Sequence, residues 1–163
     1  MPAARAPRAS VTRLIDANAN RALEGLRVCE EIVRFHLESA PVFPRLRSLR
    51  HAVARAVGQL PLSAVELARA RDSRRDLGRR APASRVASLE RLLLINFQRA
   101  KESLRTLEEC SRVIAPPIRR GSGRRPERSR GTPRQTAVFQ RLRFRIYEVE
   151  RDTLLRVAAL RHR

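Results

Sequence analysis

Asn18, Arg21 and Glu24, spaced three residues apart in the stretch "DANANRALEGLRVCEEIVRF", put a carboxamide, a guanidinium and a carboxylate on neighbouring turns of one helix. The pattern N-x-x-R-A-x-E-x-L-R-x-x-E-E recurs 78 residues later in "INFQRAKESLRTLEE", where Asn96, Arg99, Glu102 and Arg105 match Asn18, Arg21, Glu24 and Arg27. In the first copy the apolar stripe runs through Ala22, Gly25, Cys29 and Ile32; Asn18 falls within it and Arg21 on its edge, and the second copy repeats both placements. A buried guanidinium needs a carboxylate, a carbonyl or a bound anion, because an unpaired one costs several kcal/mol. Two answers stay open. Arg21 with Glu24 and Arg27 with Glu31 form helix-surface ion pairs worth about 0.2–0.5 kcal/mol each, with Asn18 tying adjacent helices together. Alternatively, Arg21 and Arg99 converge on phosphate, which the planar fork of Arg suits, while the glutamates hold the forks or bind a metal.

A second group lies in the loop "RDSRRDLG", where Asp72 and Asp76 bracket two arginines ahead of Gly78. Carboxylates on a loop over a helical cleft are candidates for chemistry; solvated turn residues are the alternative. Walker P-loop, kinase glycine loop, H-E-x-x-H and nucleophile-elbow motifs are all missing from the sequence, so phosphoryl chemistry would have to be built differently.

These residues need helices to position them, and the composition supplies helices: Ala, Leu, Arg and Glu dominate, aromatics are 4%, and no run alternates as a strand would. The expectation is an all-α bundle of about five helices in one domain over 10–160, with residues 1–9 disordered. The first helix is predicted from a cap at Ser10 to before Pro41, the second from Pro44 to Val57. A short third follows the capping-box spacing Ser63 to Glu66 and runs to about Arg71; the fourth runs from about Ser84 to before Pro116. The last runs from Gln135 to Leu160, after a mobile basic linker at 118–134 with almost nothing apolar to bury. The repeat is taken as an internal duplication: two helical halves about a pseudo-twofold axis, the motif helices as central neighbours. Small residues at Ala22, Gly25, Ala100 and Ser103 would let those helices approach closely.

The net charge of +20 points toward a polyanionic partner, yet 35 of the 36 basic residues are Arg, and a GC-rich coding bias explains part of that excess. A nucleic-acid-binding protein is the outside rival, but there is no reading motif and too few aromatics for a stacking platform. Cys29 and Cys110 fall on apolar faces and are expected as buried reduced thiols, in keeping with a cytoplasmic setting. The sequence shows no secretory signal and no membrane span.

The ordered set "RLIDANANRALEGLRVCEEIVRF", "LRH", "RDSRRDLG", "INFQRAKESLRTLEE" and "FQRLRFRIYEVE" resembles the small all-helical domain that occurs alone or at the N-terminus of some bacterial thiamine-phosphate synthases, over about Val11 to Leu155. The resemblance implies a hydroxymethylpyrimidine phosphate kinase that uses ATP and Mg²⁺ to make the pyrimidine diphosphate, or else a helper domain for the synthase. With no barrel domain after Arg163, the chain is expected to be a standalone partner of thiamine-phosphate synthase, and a cleft completed by a second subunit would suit so small a kinase. On that resemblance Arg21, Arg99, Arg27, Arg105 and Arg143 bind phosphate, and Asn18 and Asn96 orient the ligand. Glu24 and Glu102 fix the arginines, and Asp72 and Asp76 hold metal or do acid/base work. If Arg79 and Arg80 stand where metal-binding groups belong, the chain binds phosphates without transferring them.

Overall fold

The computed structural model describes residues 5–80, 82, 84–114 and 132–161. Among them are five α-helices and no strand: α1 (Arg5–Phe35), α2 (Phe43–Gly58), α3 (Ala64–Ala70), α4 (Leu89–Val113) and α5 (Thr132–Arg161), with a 3₁₀ turn at Leu77–Arg80 before α4. The all-α expectation holds.

Four boundaries differ from those expected by three residues or more; one is the end of α1, which stops at Phe35 rather than just before Pro41. α1 starts at Arg5 rather than Ser10, and takes in Pro7, which the first turn tolerates because the N–H that proline lacks would have no helical partner there. α4 starts at Leu89 rather than near Ser84. The cap is Ser88, whose hydroxyl accepts from Arg91 N at 3.1 Å and which stands directly before the apolar run Leu89, Leu92 and Leu93. α5 starts at Thr132, so the last three residues of the expected linker are helical, while 118–131 and residues 1–4 lie outside the described residues. The capping box of α3 is present as expected. Ser63 accepts from Glu66 N, and the Glu66 carboxylate accepts from Ser63 N at 2.7 Å, which holds its pKa below the usual glutamate value.

α1 and α4 form the central pair; α2 packs on α1, α5 packs on α4, and α2 meets α5, closing a four-helix ring with α3 against α1. The core between them is built from Ile15, Leu26 and Val33 of α1, Leu46, Leu49 and Val53 of α2, Leu93, Phe97 and Leu104 of α4, and Phe139 and Ile146 of α5. The duplication extends into the outer helices. Leu46, Leu49, Val53 and Ala56 of α2 are matched 93 residues later by Phe139, Leu142, Ile146 and Val149 of α5, all buried.

Cys29 and Cys110 are buried free thiols. Cys29 Sγ donates to Leu93 O at 3.6 Å across the α1–α4 contact. Burial, and secondarily the Glu150 charge, pushes the Cys29 pKa far above the ordinary thiol value; burial does the same in the same direction for Cys110.

The α1–α4 contact turns on Gly25. A Cβ there would lie 2.9 Å from Asn96 O and 3.7 Å from Ala100 Cβ, so the two backbones approach too closely for a side chain. Gly25→Ala is therefore predicted to destabilise the fold by about 1–3 kcal/mol, the usual cost of overpacking, although alanine raises helix propensity by about 1 kcal/mol. Thermal unfolding monitored by circular dichroism measures it; a higher Tm than wild type would contradict the backbone contact.

Candidate functional site

α1 and α4 run antiparallel, since Cys29 meets Leu93 while Gly25 meets Asn96 and Ala100. The internal repeat maps the Gly25–Ala100 contact onto Ser103 and Ala22. Asn18 lies one turn from Arg21 and Asn96 one turn from Arg99, so the two Asn–Arg pairs stand toward opposite ends of this antiparallel contact.

A cleft of about 680 Å³ opens along this contact. Among the described residues its lining consists of five pseudo-equivalent pairs: Asn18 and Asn96, Arg21 and Arg99, Glu24 and Glu102, Gly25 and Ser103, Val28 and Thr106. Helix geometry accounts for the set, because residues 18, 21, 25 and 28 follow one face at three- and four-residue steps, and so do 96, 99, 103 and 106.

The two asparagines are buried, and each donates Nδ2 to the carbonyl four residues back: Asn18 to Leu14 O at 2.9 Å and Asn96 to Leu92 O at 2.8 Å. Among the described residues neither Oδ1 has a hydrogen-bond donor, so each is left to accept from a ligand. The Arg21 and Arg99 guanidiniums likewise make no ion pair or hydrogen bond among the described residues. The expected Arg21–Glu24 pair does not form; Glu24 is free, and Glu102 accepts from Gln98 Nε2 at 2.7 Å. The cleft thus presents two uncommitted cationic forks and two carboxylates, a set suited to an anion carrying phosphoryl groups together with a cation.

Three arginines expected to bind phosphate are placed elsewhere. Arg27 pairs with Glu30 at 3.2 Å and Glu31 at 2.6 Å, and Arg105 repeats this with Glu108 at 2.8 Å and Glu109 at 2.7 Å. Arg143 of α5 holds Glu108 Oε2 from Nη2 at 3.1 Å, and its guanidinium lies over Phe144 and Tyr147. None of the three lines the cleft, because buried Glu30 and Glu108 need compensation and claim the nearest forks.

Asp72 and Asp76 are likewise not brought into the cleft. Asp72 Oδ1 accepts from Arg75 N at 3.1 Å and Asp76 Oδ1 from Gly78 N at 2.8 Å, so both shape the loop backbone. Arg71 fastens that loop to α1 with two bonds to buried Asp16, at 2.9 and 2.8 Å, and Arg13 donates to Asp72 O at 2.9 Å. No group of three or more His, Cys, Asp or Glu that could hold a metal exists among the described residues.

The sequence reading missed Glu30, Glu108 and Arg50. Arg50 Nε donates to Glu30 Oε2 at 2.7 Å, the counterpart in the first half of Arg143 on Glu108. The signal was present: Arg50 in "LRH" and Arg143 in "LRF" carry the same 93-residue offset as the buried faces of α2 and α5. Glu30→Ala and Glu108→Ala are each predicted to cost about 3 kcal/mol of stability by leaving the largely buried Arg50 or Arg143 without its carboxylate, while Arg27 and Arg105 keep Glu31 and Glu109. Denaturant unfolding of the two variants checks it; a loss in one and not the other would contradict the duplicated role.

The sequence profile of the ThiD2 family matches residues 13–152. Similar curated proteins include a thiamine-phosphate synthase from a Synechocystis species, 32% identical over 89% of this chain and 36% of the relative. Another, from a Synechococcus species, is 39% identical over 66% of this chain and 30% of the relative. A third, from Rhodopirellula baltica, is 29% identical over 94% of this chain and 37% of the relative. The chain thus spans about a third of the length of these relatives. No solved structure matches it. No helix among the described residues is long and apolar enough to cross a membrane.

Proposed function

We propose that this chain, which belongs to the ThiD2 family, acts in thiamine biosynthesis by transferring a phosphoryl group from ATP to hydroxymethylpyrimidine phosphate, making the diphosphate. The observation that carries the proposal is that Arg21 and Arg99 line one cleft without a protein partner, each one turn from a buried Asn whose Oδ1 can accept from a ligand. The relatives named thiamine-phosphate synthase supply the pathway.

The chemistry asks little of the protein beyond position and charge. The acceptor is a phosphate monoester, whose second pKa is about 6, so its attacking oxygen is already deprotonated at neutral pH. That oxygen bonds to the γ-phosphorus of ATP as the bond from γ-phosphorus to the bridging oxygen breaks, and ADP departs with the electron pair. No general base is needed, which fits a cleft that lacks Asp72 and Asp76. Arg21 and Arg99 neutralise the charge that otherwise keeps two phosphates apart, the dominant requirement in phosphoryl transfer. Mg²⁺ is commonly held by one or two carboxylates together with substrate phosphates, so the absence of a three-ligand cage among the described residues is compatible with it. Glu24 and Glu102 are the carboxylates in the cleft, and the metal would supply charge neutralisation there.

A second reading rests on the share of the relatives covered: a domain spanning about a third of each synthase could hold the pyrimidine phosphate or diphosphate without transferring phosphate. One assay separates the two. With ATP, Mg²⁺ and the pyrimidine monophosphate, the wild-type chain is predicted to release ADP, and Arg21→Ala or Arg99→Ala to lose about 100-fold or more in kcat/KM with helical content unchanged. No ADP from wild type, with the pyrimidine phosphate still bound, would favour the helper role. Full turnover in both variants would remove the cleft from the account.

A further inference from the structure

A second hollow, of about 500 Å³, lies on the loop between α3 and α4 and is lined by Arg74, Arg75, Asp76, Leu77, Arg79 and Arg80. All six residues are exposed, and among the described residues none of the four guanidiniums makes an ion pair or hydrogen bond. Asp76 lines the hollow with them and offsets one of the four charges; it and Asp72 make no ion pair with these arginines, their Oδ1 atoms accepting from the amides of Gly78 and Arg75. Arg79 N donates back to Asp76 O at 3.1 Å, completing the turn, and the Arg71–Asp16 pair anchors the loop on α1. The backbone is therefore fixed from within while the cations stay free. Four like charges on seven consecutive residues repel one another, and a small carboxylate would offset only one of them. A ligand with several charges strung along a short chain offsets all four, and its oxygens match guanidinium forks. Leu77, fully exposed at the rim, adds an apolar surface beside the charges.

We infer that this loop is a second anion site, for a linear polyphosphate of three or more phosphoryl groups, separate from the α1–α4 cleft, with which it shares no lining residue. The inference is independent of the proposed transfer in the cleft. The polyphosphate can come from a nucleoside triphosphate or from inorganic chains, and the experiment distinguishes them. Calorimetric titration of the full chain carrying Arg21→Ala and Arg99→Ala, with inorganic triphosphate and separately with ATP, isolates the loop. Both probes are expected to bind. Adding R74S, R75S, R79S and R80S is expected to weaken triphosphate binding at least about tenfold, the scale of losing charge-assisted bonds. Tighter binding of ATP than of triphosphate assigns the site to a nucleotide; equal binding assigns it to the phosphate chain alone. Should the quadruple change lower helical content, the pairs R74S/R75S and R79S/R80S are titrated separately, and each must cost at least about threefold. Undiminished triphosphate binding after the loop substitutions would overturn the inference. So would no triphosphate binding to the cleft-disabled chain, or loop-dependent binding of a single-stranded oligonucleotide but not of triphosphate.

Discussion

The structure depends on the close approach of α1 and α4 at Gly25, where Asn96 O occupies the space a side chain would take. Ala22, Ala100 and Ser103 continue that contact, and all three are buried. With so little side chain between the two backbones, the longer groups at positions 21, 24, 99 and 102 are displaced to its edge, where they wall a cleft floored by Gly25 and Ser103. A larger residue at 25 would separate the helices and widen the spacing of the two forks together. Fold and site share one constraint.

Which arginines are free follows from where the carboxylates are buried. Glu30 and Glu108 are almost fully enclosed, and an enclosed carboxylate must be met by donors. Each takes one fork from its own helix and one from the outer helix, Arg27 and Arg50 in one half, Arg105 and Arg143 in the other. Arg21 and Arg99 point to the opposite side, where Glu24 and Glu102 do not engage them. The same partition arises in both halves of one chain. A high net charge thus resolves into structural arginines that close the ring and many that no carboxylate engages, of which Arg21 and Arg99 line the cleft.

Much of this was legible in the sequence. The 78-residue repeat announced two central helices, the small residues at 22, 25, 100 and 103 announced their contact, and the misplaced Asn18 and Arg21 with their copies marked the cleft. The Ser63–Glu66 spacing gave the cap of α3. Other features were hidden for physical reasons. Two serines precede the apolar run of α4, and spacing alone does not choose between Ser84 and Ser88. Arg21 and Arg27 lie about 120° apart on a helical wheel, and each has a glutamate three residues on. What separates them is a buried glutamate three residues on and an arginine from another helix, a tertiary fact. Asp72 and Asp76 resemble catalytic loop carboxylates in sequence, and only backbone geometry reveals that each caps an amide.

The central claim is that a single phosphate-bearing ligand engages both of the exposed forks that line the cleft. Nuclear magnetic resonance of the arginine Nε–H groups during titration with the pyrimidine monophosphate tests it most directly. The resonances of Arg21 and Arg99 should shift together along one saturation curve while those of Arg27 and Arg105, held by glutamates, stay in place. Shifts confined to Arg27 and Arg105, or no movement of Arg21 and Arg99 at saturating ligand, would contradict it.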